Sequence, residues 1–154
     1  MANRTYNQFA GTLERKVVKL FAKISMVAGS PVLVTSEVLN SGTSPVTINP
    51  SQGFESLSSA GAGLITLVLG ANNGGVPTYD PYVRLLNVSL SIVGPLSATN
   101  VILWKVIADN VNGASGNPSL TLETILAGNP PAPGFPSDGD TILVEVTLSN
   151  TTAY

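Results

Sequence analysis

The chain has 154 residues, of which only 10% are charged, a formal net charge of −2, and neither cysteine nor histidine. This excludes disulfides, thiolate nucleophiles and sulfur-bound metals, and it removes both the usual general base and the commonest metal ligand. The length suits one domain able to bury a core, and no apolar run approaches the ~18–20 residues of a membrane-crossing helix.

The first 23 residues hold five of the seven basic side chains, Arg4, Arg15, Lys16, Lys19 and Lys23, against one acid, Glu14. That segment is therefore formally +4, and the rest of the chain, with two basic and eight acidic side chains, is −6. Such asymmetry points to an interaction segment joined to a weakly acidic body. Residues 1–15 read as an extended arm and 16–154 as one β-domain. The opening Met-Ala-Asn-Arg-Thr-Tyr lacks the basic-then-apolar pattern of a signal peptide, so the expectation is a soluble protein made in the cytoplasm.

Residues 13–26 fit two periods. As a strand, Val18, Leu20, Ala22, Ile24 and Met26 share a face; as a helix, Leu13, Val17, Leu20, Ile24 and Val27 do. The β-rich surroundings favour a strand beginning near Lys16. Beyond it, short candidate strands alternate with Gly, Pro and Asn clusters, as in a sandwich or barrel.

Residues 32–38 and 46–48 are short candidates. In 63–69, Ile65, Leu67 and Leu69 oppose Leu64, Thr66 and Val68. Residues 82–93 place Tyr82, Leu86, Val88, Leu90 and Ile92 on one face and Asn87, Ser89 and Ser91 on the other. Residues 101–108 are apolar on both faces except at Lys105, which suits a central, doubly covered strand. In 119–126, Leu120 and Leu122 oppose Thr121 and Glu123. In 141–149, Ile142, Val144, Val146 and Leu148 point inward and Glu145, Thr147 and Ser149 outward. The expected fold is all-β, an antiparallel sandwich or barrel-like domain of about seven or eight strands with no long helix.

Two connections, 70–81 and 127–140, exceed ordinary hairpin length. The second holds four prolines, which stiffen it toward polyproline II geometry. Pro130, Pro131, Pro133 and Phe135 are accordingly contact candidates, with a crossover between sheets as the purely structural alternative.

Chemistry-bearing motifs are few. Asp138-Gly139-Asp140 offers oxygen ligands but lacks the further acids of a calcium loop, and it is ordinary turn chemistry before a strand. Tyr79-Asp80-Pro81-Tyr82 has aromatic flanks able to grip a sugar or pack at a sheet corner. The nine carboxylates are scattered, and no glycine pattern follows a strand to open a helix, so no catalytic, cofactor or metal residue is assigned. In the basic segment, Tyr6, Phe9 and Leu13 interleave with Arg4, Arg15, Lys16, Lys19 and Lys23. Docking on an acidic protein surface is preferred there to a solvated strand face or to nucleic acid, for which seven cations are a small complement.

Several stretches resemble a family of small tailed-bacteriophage virion proteins: MANRTYNQFAGTLERKVVKLFAKI, AGLITLVL, YDPYVRLLNVSLSIV, IADNVNGASGNPSLTLE and ILVEVTLSNTTA, in this order over most of the chain. The resemblance implies a non-enzymatic capsid decoration or cement protein on the virion exterior. It further implies a trimer at threefold positions whose partner is the major capsid protein, with no cofactor, nucleic acid or membrane involved. The 70–81 connection, with Asn72-Asn73-Gly74-Gly75, departs from the family's shorter turn. Alternatives are a carbohydrate- or receptor-binding module of the virion, a tail component and, last, a hydrolase built on two carboxylates.

Overall fold

The computed structural model describes residues 17–42, 44–73, 76–79, 81–94, 101–128 and 130–150. Strand β1 (Val17–Val27) turns through Ala28 and Gly29 into β2 (Ser30–Leu33). Both turn residues have positive φ, 50° and 74°, the mirror-image turn whose twist matches flanking strands. Then come β3 (Glu37–Ser41), β4 (Ser44–Ile48), β5 (Phe54–Ser58), β6 (Leu64–Asn73), β7 (Val76–Tyr79) and β8 (Arg84–Val93). The chain continues through β9 (Val101–Asn110), β10 (Ser119–Leu126), β11 (Ala132–Pro133) and β12 (Thr141–Ser149).

One sheet has the order β2-β1-β12-β8, and every pairing in it is antiparallel. In the other, β10 has β9 on one edge and β6 then β11 on the opposite edge, while β6 carries β5 and β7. The two sheets form an all-β sandwich, and β3 and β4 make a separate hairpin. The core is a set of alternating side chains. Leu20, Ala22, Ile24 and Met26 of β1 and Ile142, Val144, Val146 and Leu148 of β12 meet Ile65, Leu67, Leu69, Leu120 and Leu122 of the second sheet. Burying each Val, Leu, Ile or Met among them contributes roughly 1.5–3 kcal/mol, which is why the period-two pattern holds the register.

The ambiguous N-terminal segment is a strand from Val17 onward, because its partner β12 is paired to it from Ser149 through Thr141. A helix there would leave the β12 edge unpaired. Twelve strand segments are seen among the described residues, against seven or eight expected, and the surplus consists of short pieces. Residues 32–38 divide at Val34, Thr35 and Ser36 into β2 and β3, and Phe54–Ser58 is an additional strand. The long 70–81 connection is largely the β6–β7 ladder, and 127–140 contains β11.

Three placements correct the sequence reading. Residues 101–108 do not form a doubly covered central strand: β9 pairs β10 alone among the described residues, and Leu103 is 59% exposed. The opposite edge of β10 is the one taken by β6. Second, Leu85 rather than Leu86 packs against the core, because the β8–β12 ladder shifts register there and Leu86 becomes an extra, 42% exposed residue. Third, Ser149 keeps its expected outward position opposite Val17 and Arg84 but is buried there.

Candidate interaction surfaces

Where alternation sends side chains outward, the first sheet presents Lys19, Phe21 and Lys23 of β1 beside Leu143, Glu145 and Thr147 of β12. Lys19 pairs with Glu145 at 2.6 Å. Lys23 reaches Glu37 at the start of β3, also at 2.6 Å, and so ties the β3–β4 hairpin to this sheet. Both ion pairs are solvent-accessible, so each is worth little in stability, but they neutralise the face. The apolar side chains left between them are open: Phe21 is 50% and Leu143 is 41% exposed. With Lys23, Pro50, Ser89 and Glu145 they line a shallow cavity of about 330 Å³.

The β3–β4 hairpin is the second apolar surface. Leu39 sits directly opposite Val46, and Val38, Leu39, Val46 and Ile48 are all exposed. A two-stranded hairpin of this kind is at best marginally stable by itself. Its base is secured by Ser51, whose buried hydroxyl accepts the Lys23 N–H at 3.0 Å and donates to the Val34 carbonyl at 2.6 Å.

A third surface is the side of the sandwich bounded by β8 and β9. Leu86, Val106 and Ile107 are exposed on these two strands, as are Val93 and Leu103 on their outward faces. Lys105 on β9 bonds Glu123 of the adjacent strand at 2.7 Å as a cross-strand ion pair.

Of the residues expected to make contacts, Arg4, Tyr6, Phe9, Arg15 and Lys16 lie outside the described residues. Lys19 and Lys23 are on the outer face of the first sheet, as above. Pro130, Pro131 and Pro133 are exposed, with Pro133 paired to Ile125. Phe135 is half-buried and packs against the core, so within the proline-rich segment it serves as an internal anchor. That segment borders β10 in the second sheet, and the structure does not bring its prolines together with the two lysines. The exposed apolar residues of β9 and of the β3–β4 hairpin were missed because alternation alone does not reveal whether a face is covered.

The motifs weighed for chemistry serve structure. Asp138 accepts the Gly29 N–H at 2.6 Å and Asp140, buried, accepts the Ser137 N–H at 3.1 Å, closing the turn against the β1–β2 hairpin. Among the described residues no three acidic side chains gather in a way that could hold a metal ion. Tyr82 packs against the core while Tyr79 is 41% exposed, so the two rings do not share one face. A polar cavity of about 400 Å³ near Thr35, Asn49, Phe54 and Glu55 has, among the described residues, one carboxylate on its wall.

No family model, curated protein or solved structure matches this chain.

Proposed function

We propose that this chain is a non-enzymatic structural protein of a bacteriophage particle, one that decorates the capsid and cements it by bridging neighbouring major-capsid subunits. The observation that carries this reading is the apolar outer surface. On the first sheet and the β3–β4 hairpin, large hydrophobic side chains stand in the open between lysines already neutralised by Glu145 and Glu37. Surfaces of this kind are what protein contact requires, since burying them releases water without stranding charge. The stretches resembling small phage virion proteins supply the biological setting.

The mechanism follows from mass action. A protein that binds only the assembled shell stabilises that shell by its binding free energy. Copies repeated by symmetry add avidity without needing any single strong contact. The basic N-terminal residues, including Arg4, Arg15 and Lys16, would run over an acidic neighbour, and a homotrimer would place three such arms around one threefold position.

The test is co-sedimentation of the purified protein with shells assembled from the major capsid protein of the same phage, alongside the thermal midpoint of those shells. Saturable binding with a raised midpoint is expected. No binding to assembled shells would overturn the proposal.

A further inference from the structure

We infer that the β8–β9 side of the sandwich is the surface through which copies of this chain associate with one another. The inference rests on the reading above in so far as it treats the chain as an assembling subunit, and it names the surface used. Among the described residues the first sheet ends at β8 and the second at β9. The Tyr82 N–H, just before β8, donates to the carbonyl of Val111, just after β9, at 2.8 Å. The start of β8 and the end of β9 therefore lie together at one edge of the sandwich, and the two strands leave that point in opposite chain directions.

The core is unfinished along this side. Val144 and Val146 are buried, yet Leu90 and Val88, directly opposite them on β8, are only partly so. On the other sheet Leu122 is wholly buried, while its cross-strand partner Val106 is 38% exposed. Residues paired with core positions thus remain open to solvent on both strands, flanked by the exposed Val93, Leu103 and Ile107.

Edge strands left free in solution are usually blunted by proline, by charge or by a bulge that turns the edge away. Neither β8 nor β9 contains proline. Arg84 stands at the first position of β8 only, Lys105 is already bonded to Glu123, and a carboxylate oxygen of Asp109 accepts the Val111 N–H at 3.2 Å. Register shifts bulge β8 at Leu86 and β9 at Ile107, so the regular stretches open to further pairing are residues 87–93 and 103–106.

A second copy fits this side better than an unrelated partner because the side is self-complementary. Both edge strands have ten residues. Being antiparallel to each other, they meet antiparallel when β8 of one copy faces β9 of the next around an axis parallel to the strands, whether that axis is two-fold or three-fold. Ten residues span about 33 Å and the sheets lie about 10 Å apart, so with the strands' own width the face is on the order of 600 Å² per copy. That approaches the roughly 800 Å² per partner of a stable interface. The charge at mid-strand is already neutralised, so two such faces meet without repulsion.

The experiment is the mass of the full chain by light scattering after size exclusion, for the natural sequence and for Leu103→Lys, Ile107→Lys and Leu143→Lys. Leu103 and Ile107 are exposed in the single chain, so these changes leave the fold, read by circular dichroism, intact. The expected result is at least twice the 15.8 kDa chain mass, falling to one chain for Leu103→Lys and Ile107→Lys and unchanged for Leu143→Lys on the outer face. Trp104, the only tryptophan, lies on β9 and gives a second readout: acrylamide quenching should rise on dissociation. A monomeric natural chain, or an oligomer that survives both β9 changes, would overturn the inference. So would a monomer in which removal of residues 1–16 unmasks Trp104, since the arm would then be the cover. A monomer that still binds shells sinks this inference alone; a β9-dependent oligomer that never binds them sinks only the capsid reading.

Discussion

The Thr124 hydroxyl donates to the Gly134 carbonyl at 2.6 Å, and the Gly134 N–H returns to the Thr124 carbonyl at 3.1 Å. One wholly buried side chain thereby holds the proline-rich segment against β10. Thr124→Val keeps the volume but leaves the Gly134 carbonyl without this donor, so a loss of about 1–2 kcal/mol is expected. Urea unfolding followed by far-UV circular dichroism measures it, and an unchanged midpoint would show that the segment is held by its other contacts.

The same junction constrains Gly63. Its φ is +72°, and a Cβ there would run into the Thr124 carbonyl and the Gly134 amide. Gly63→Ala should cost more than about 2 kcal/mol, since both the conformation and the backbone space oppose it. Gly61→Ala, whose added methyl would meet only ordinary contact with Leu64, should stay within about 0.5 kcal/mol. Thermal melts of the pair provide the comparison.

Ser51 joins two backbone strands where the β1–β2 ladder stops. Ser51→Ala strands a buried N–H of Lys23 and a carbonyl of Val34, and about 1–3 kcal/mol should be lost. Amide hydrogen exchange should accelerate at Lys23 before it does in β12. Uniform acceleration would indicate global destabilisation instead.

The lysines of β1 should matter little to stability. Lys19→Ala and Lys23→Ala each remove an accessible ion pair and should change the unfolding free energy by less than about 1 kcal/mol. If shell binding falls by a larger factor than stability does, the lysines act in contact. An effect on unfolding well above that bound would assign them a structural role.

Removing residues 1–14 should weaken binding to assembled shells while the melting curve of the β-domain keeps its midpoint. Co-sedimentation across a salt series checks this, because an arm acting through its cations loses its contribution as salt rises. Full affinity in the truncated protein would remove the arm from the mechanism.

Much of this fold was legible as period-two alternation. The inward sets of β1, β6, β10 and β12 follow directly from their apolar residues, because a half-buried strand can bury only every second side chain. Alternation also separated strand from helix at Val17–Val27 only once β12 supplied a partner. The Leu85–Leu86 exchange was not legible, since a bulge adds one residue without altering hydrophobic content. Nor was the outer position of β9. An apolar strand reads the same whether another strand covers it within the chain or another molecule does so from outside.

Composition alone removed cysteine and histidine chemistry from this protein, and local pattern alone specified an all-β chain with a basic N-terminal segment. Only the tertiary structure decided which apolar residues stay in contact with water. Strand order, bulge position and the ends of the sheets depend on pairings between distant residues, such as Val17 with Ser149 or Leu122 with Val106, which no local pattern encodes. Those pairings leave Phe21, Leu103 and Leu143 exposed while Ile24, Leu122 and Val144 are buried, although all six are apolar.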